Sequence, residues 1–143
     1  MAQDRFVRFA SSFAGMSDAV MAPDGTLYAS GVVALKNGEL VGDGDPTRQA
    51  EQCFENLAAV LDAASLGFED VLMLRCYLTD AAYYPAYAEV KNRLFGRAAP
   101  ASTGLVVKSL LLEGLLMEVE ATAYAGPLRG AGSEQSGRRR DDG

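Results

Sequence analysis

Glu118 and Glu120 stand two residues apart in the segment Met117-Glu118-Val119-Glu120-Ala121, which alternates apolar and charged side chains. In an extended chain this spacing sends both carboxylates to one side of a sheet. Two uses of such a pair stay open. The carboxylates can decorate a solvent-facing surface, where charges usually remain. Alternatively, one of them can lie at the floor of a cleft and transfer protons as a general acid or base. The chain has no histidine, which excludes Ser-His-Asp and Cys-His machinery and every His-containing metal site. Its two cysteines, Cys53 and Cys76, fall in separate elements and make a poor zinc site. Chemistry must come from carboxylates, hydroxyls, backbone amides, tyrosines or a lone thiol.

The stretch that positions the two carboxylates runs from Arg97 to Tyr124 and holds a Pro, a small polar turn, an apolar strand, a Gly-containing reversal and the Glu118–Glu120 strand. Before it, Phe6 to Phe13 reads as a first strand. Ser17 to Met21 and the run from Thr26 onward read as a hairpin about the turn Pro23-Asp24-Gly25, where Pro presets φ and Gly accepts a positive one. Gly31 interrupts the second arm and marks a bulge, a close backbone approach or a simple break. Lys36 to Gly44 reads as a loop. Asp45 then caps a helix with Pro46 at its first position, an apolar stripe through Ala50, Cys53, Leu57, Val60, Leu61 and Ala64, and a stop at Gly67. Val71 to Thr79 reads as a strand with Leu72, Leu74, Cys76 and Leu78 toward helices and Met73, Arg75, Tyr77 and Thr79 on the other side. Arg75 is there either solvated or a counter-ion for a neighbouring carboxylate. Asp80 caps a second helix, Ala81 to Phe95, with Tyr84, Tyr87, Val90 and Leu94 on one side.

These elements predict an α+β domain over residues 1–125: a mainly antiparallel sheet with two helices packed on one face. Residues 126–143, rich in Gly, Ser and mixed charge, read as a disordered polar tail. The other sheet face carries groups such as Met73, Tyr77 and Leu116, and a symmetric oligomer would bury it. At 143 residues and 49% hydrophobic, the chain suffices for one core. The net charge is −6, which disfavours a phosphate backbone as partner. No run matches a membrane span or a secretory signal, and the free thiols suit a cytoplasmic protein.

Tyr28-Ala29-Ser30-Gly31, Gly44-Asp45, Gln49, Gln52, Asn56-Leu57, the run Ala59 to Ala64, Glu69-Asp70-Val71, Tyr77-Leu78-Thr79-Asp80, Phe95, Pro100-Ala101 and Met117 to Ala121 follow one another in an order that resembles the Rid family (reactive intermediate deaminase, also YjgF or L-PSP-like). The resemblance runs from about Ser17 to Tyr124. It implies a chorismate-mutase-like fold and a homotrimer with small-molecule pockets at subunit interfaces. It also implies hydrolysis of imines and enamines, such as 2-aminoacrylate, without metal or cofactor. Glu118 matches the family's water-handling Glu, and Ser30 and Gly31 its pocket strand. Tyr84 matches an aromatic at the start of the second helix, and Thr103 and Gly104 the positions after the substrate clamp. The clamp itself, an Arg that grips the substrate carboxylate, is Ser102 here. The resemblance therefore implies a divergent member acting by acid–base chemistry on an imine, enamine or enolisable carbonyl compound, by hydrolysis or tautomerisation. The alternative is a non-catalytic trimer that binds a metabolite or regulates a partner.

Overall fold

The structure is a computed structural model that describes residues 4–127; from residue 128 the expected tail lies outside the described residues. Three strands open the chain: β1 (Val7–Ala10), β2 (Ser17–Met21) and β3 (Thr26–Val33). The run Phe6 to Phe13 is thus extended only in its middle. At the β2–β3 turn Gly25 has φ +92°, and a Cβ there would collide with the Gly126 carbonyl. Ala125 N–H donates to Gly25 O close by, fastening the segment after Tyr124 to this turn.

Lys36 to Gly44 is more ordered than a loop. Its start forms a small hairpin, β4 (Leu35–Lys36) with β5 (Glu39–Leu40). The connection is Asn37-Gly38, both at positive φ, the backbone that a two-residue hairpin needs. Helix α1 (Pro46–Ala63) starts as expected, with the Asp45 carboxylate accepting from Arg48 N–H. It does not end at Gly67. Ser65 takes the left-handed conformation instead (φ 60°), Ser65 N–H reaches Asp62 O, and Leu66 N–H reaches Leu61 O. That pattern is a Schellman closure with serine in the usual glycine place.

Strand β6 (Val71–Leu78) begins with a bulge between Val71 and Met73. The bulge turns Leu72 outward, 53% exposed, and puts Val71 in the core in its stead. The face reading therefore holds from Leu74 onward and fails at Leu72. The second helix starts as a 3-10 turn over Ala81–Tyr83, capped by Asp80, before α2 (Tyr84–Phe95). Phe95 rather than Leu94 reaches the interior from its last turn. The final strands are β7 (Ala101–Val106) and β8 (Met117–Tyr124).

The six-stranded sheet has the order β1-β2-β3-β8-β6-β7, antiparallel except for the parallel β6–β7 pair. The apolar strand and the carboxylate strand of the closing stretch are therefore not partners: β6 lies between them. Both helices cover one face, as predicted for the α+β class. There Leu27, Leu74, Leu78, Met117 and Val119 meet Phe54, Leu57, Leu61, Tyr87 and Val90, all fully enclosed. Full burial of each such side chain stabilises by about 1.5–3 kcal/mol. Phe54 stacks on Tyr87 at 5.7 Å and meets Phe95 edge-on at 5.7 Å, joining α1 to α2. Cys53 and Cys76 belong to this core, and burial pushes the Cys76 thiol up to about 12. Neither is a nucleophile at neutral pH. Among the described residues no helix is long and apolar enough to cross a membrane.

Candidate active site

Strand β8 alternates without fault: Met117, Val119, Ala121 and Ala123 point into the core, and Glu118 and Glu120 to the face without helices. Register then gives the two carboxylates different neighbours. Arg75 of β6 lies directly opposite Glu120, and Tyr77 opposite Glu118. The Tyr77 hydroxyl donates a short hydrogen bond to Glu120 Oε1. Arg75 Nη1 stands 4.0 Å from the same oxygen. Arg75 is thus a counter-ion, although a loose and half-exposed pair of this kind contributes little stability. Its hydrogen bond to Glu120 pushes the Tyr77 phenol above its ordinary range, with burial adding to the effect.

Glu118 has no ion pair or hydrogen bond among the described residues. Its carboxyl rests against the backbone of Gly31, where a Cβ would stand 2.7 Å from Oε1. The β3–β8 register shifts between Ala29 and Val32, so the bulge anticipated at Gly31 is present. It makes room for a carboxylate where any other residue would place a methylene. Partial burial raises the Glu118 carboxyl above the usual range, and the negative charge of Glu120 raises it further. A carboxylate without a cation, held half out of water beside a second acid, is equipped to take and return a proton.

The neighbouring Ser30 hydroxyl donates to Ser17 O at 2.7 Å and so ties β3 to the start of β2. Beside it opens a cleft of about 760 Å³ bounded by Ser30, Gly31, Asp18, Phe13, Met16 and Val60.

The other sequence candidates lie on β7 and α2. Parallel pairing sets Ser102 beside Leu74, Thr103 beside Arg75 and Gly104 beside Cys76. Ser102 and Gly104 therefore turn to the helix side, and Thr103 to the open face with the carboxylates. The Tyr84 ring packs 3.4 Å from the point a Gly104 Cβ would occupy. A second cleft, of about 400 Å³, lies between Tyr84, Ala81, Gly104, Leu105 and Val106. The candidates thus form two groups: Glu118, Gly31, Ser30 and Thr103 on the open side, and Tyr84, Ser102 and Gly104 at the β7 edge. Within one chain Ser102 and Glu118 are on opposite faces, two strands apart, and share no cleft. Sequence reasoning assigned no role to Tyr77. Its alternation with Arg75 was visible, but its position opposite Glu118 depends on a cross-strand register that the sequence does not state. Among the described residues no group of three or more Cys, Asp or Glu could hold a metal ion.

Residues 9–125 match the family model described as Endoribonuclease L-PSP. The chain is 36% identical over 118 residues to the RutC family protein UK114 of Drosophila melanogaster, covering 82% of this chain and 84% of that protein. It is 33% identical over 106 residues to the 2-iminobutanoate/2-iminopropanoate deaminase of Mus musculus, covering 73% of this chain and 77% of that enzyme. Among solved structures, a Mycobacterium tuberculosis member of the YjgF/YER057c/UK114 family superposes with a TM-score of 0.73 at 25% identity, over 83% of this chain and 98% of that one.

Proposed function

The chain belongs to the Endoribonuclease L-PSP family, the Rid or YjgF family of its sequence motifs, and from that premise we propose that it is an imine or enamine hydrolase for small molecules lacking a carboxylate beside the reacting carbon. A relative named as an imine deaminase supports the reaction class. The observation that carries the reading is the Glu118 carboxyl against Gly31, without a cation and with its proton affinity raised by burial.

In this reading Glu118 takes a proton from water as the oxygen bonds to the imine carbon. It returns that proton to nitrogen, and the resulting carbinolamine collapses to carbonyl compound and amine or ammonia. Positioned proton transfer of this kind contributes about 10²- to 10⁴-fold in rate. The same residue could serve keto–enol exchange in a substrate with an acidic C–H.

Ser102 sets the substrate class. A guanidinium binds a carboxylate through two charge-assisted hydrogen bonds, and a neutral hydroxyl does not reproduce them. Hydrogen bonds to charged groups contribute roughly 1.5–3 kcal/mol, so its absence weakens carboxylate binding by about 10- to 100-fold. Because Ser102 and Glu118 face opposite ways in one chain, a site using both is built from two chains. We place it at the seams of a homotrimer, whose assembly would also cover the open sheet face, where Tyr28 is 58% exposed.

The test is hydrolysis of 2-iminobutanoate and of its neutral amide by the wild-type chain, Glu118→Gln and Ser102→Arg, each with its mass checked in solution. The amide should be the better wild-type substrate, Glu118→Gln should lose at least a hundredfold on it, and Ser102→Arg should gain on the acid. Full turnover by a Glu118→Gln protein of unchanged mass would overturn the mechanism.

A further inference from the structure

Strand β3 outruns its partner β2: their register covers Leu27 to Ala29, while β3 continues to Val33. The connection from β1 to β2, residues 11–16, lines the same cleft as this overhang. Phe13 and Met16 come from the connection, Gly31 and Val32 from the overhang, and Val60 from α1. Phe13 is 57% exposed and Met16 46%. Single apolar side chains on a surface need no explanation. Two in one short connection, lining a cleft with further apolar walls, mark a binding surface. The connection is also anchored: Phe13 N–H donates to Ser11 Oγ at 3.1 Å, and the Ser30 hydroxyl donates to Ser17 O at 2.7 Å just beyond Met16.

The cleft's volume, about 760 Å³, lies within the range of roughly 300–1,000 Å³ typical of small-molecule sites. Asp18 is the only charged residue among the described residues that line it. An anionic group entering there would lose water and meet a like charge, whereas a hydrocarbon group would gain about fourfold in affinity for each methylene buried. Gly31 lines the cleft and also carries the Glu118 carboxyl against its backbone. A group attached near a carbon that reacts at Glu118 thus has this cleft as its neighbouring space.

Resting on the reading of the chain as an imine or enamine hydrolase, we propose that Phe13 and Met16 are specificity-determining residues, which with Val32 and Val60 form a compartment for an uncharged aromatic or branched aliphatic group of the substrate. The substrate class is then an imine or enamine that carries such a group a few bonds from its reacting carbon. Its affinity comes from buried hydrocarbon rather than from a clamped charge.

The test measures binding rather than turnover, so that it can fail separately from the hydrolase reading. The full-length protein is titrated with 2-oxo-4-phenylbutanamide and with 2-oxobutanamide, which differ by one phenyl group. NMR line shifts follow the binding, and the mass of the particle in solution is measured alongside. The phenyl compound should bind about tenfold more tightly or better, with nuclear Overhauser contacts from its ring to the Met16 methyl group. Phe13→Ala and Met16→Ala should each weaken it by about 3- to 10-fold while moving the smaller amide by less than about twofold. Equal binding of the two amides, or variants that weaken both alike, would overturn the inference. So would a changed particle mass in Phe13→Ala, which would make the connection a contact between copies of the chain. Loss of the phenyl preference would leave Glu118-dependent turnover of small imines standing, and full turnover by Glu118→Gln would leave the preference standing.

Discussion

Glu118 Oε1 lies where only a glycine at position 31 leaves space, 2.7 Å from the site of a missing Cβ. The two residues come from strands β3 and β8 and meet through the bulge that interrupts their register. The contact falls on the tip of a flexible side chain, so a methyl group at Gly31 would displace the carboxylate rather than the backbone. Gly31→Ala should fold with a melting temperature close to wild type while imine hydrolysis falls by about tenfold or more, since a small misplacement of a proton-transfer group is expensive in rate. Steady-state kinetics beside a thermal melt decides it. Wild-type turnover would show that the position of the carboxylate is immaterial.

The raised Glu118 carboxyl makes a signed prediction about pH. The folded protein holds this proton more tightly than the unfolded chain does, because burial and the nearby Glu120 charge both disfavour ionisation. This group's contribution to stability is present below the unfolded carboxylate range and is lost as pH rises through the folded value. Glu118→Gln should therefore melt higher than wild type at pH 8, with the gap closing toward pH 4. A gap that widens on acidification would mean that the carboxylate is held in its charged form.

Gln49 is fully buried, and its side chain satisfies three backbone groups, one just before its own helix and two in the segment before β8. Nε2 donates to Gly42 O at 3.1 Å and to Gly114 O at 2.9 Å, and Oε1 accepts from Leu116 N–H at 2.9 Å. Gln49→Leu keeps the volume and orphans all three. It should lower stability by roughly 2–4 kcal/mol in a denaturant melt, in line with the cost of unpaired buried groups. A loss below 1 kcal/mol would mean that water replaces the amide.

Ser65 closes α1 at φ 60°, a conformation that suits glycine better than a residue with a Cβ. Ser65→Gly should raise stability by up to about 1 kcal/mol, the relief of left-handed strain exceeding the extra entropy of the unfolded chain. A lower midpoint in urea would show that the serine side chain contributes more than its strain costs.

Alternation made the faces of the strands legible: Glu118 with Glu120, Leu74 with Cys76, and the Asp45-Pro46 helix start are where the sequence put them. Leu72 was misplaced because one extra residue in a strand reverses the parity of its neighbours, and nothing in Val71-Leu72-Met73 announces it. The stop at Gly67 was misread because glycine is the usual closing residue and Ser65 does the work here. Gln49 stands out in the sequence only as part of a motif, since two of its three partners, Gly114 and Leu116, lie more than sixty residues away. The relation between Ser102 and Glu118 was beyond reach for a deeper reason. Each strand reveals its own two faces, but which face of β7 matches which face of β8 depends on β6 standing between them.

Strand β8, the last in sequence among the described residues, occupies a middle place in the sheet, with β3 on one side and β6 on the other. During synthesis the β1-β2-β3 meander and the β6–β7 pair therefore have no ladder joining them until residue 124 has left the ribosome. A message cut short before Met117 would yield two half-sheets with raw edges, material for proteolysis or clumping rather than a smaller working protein.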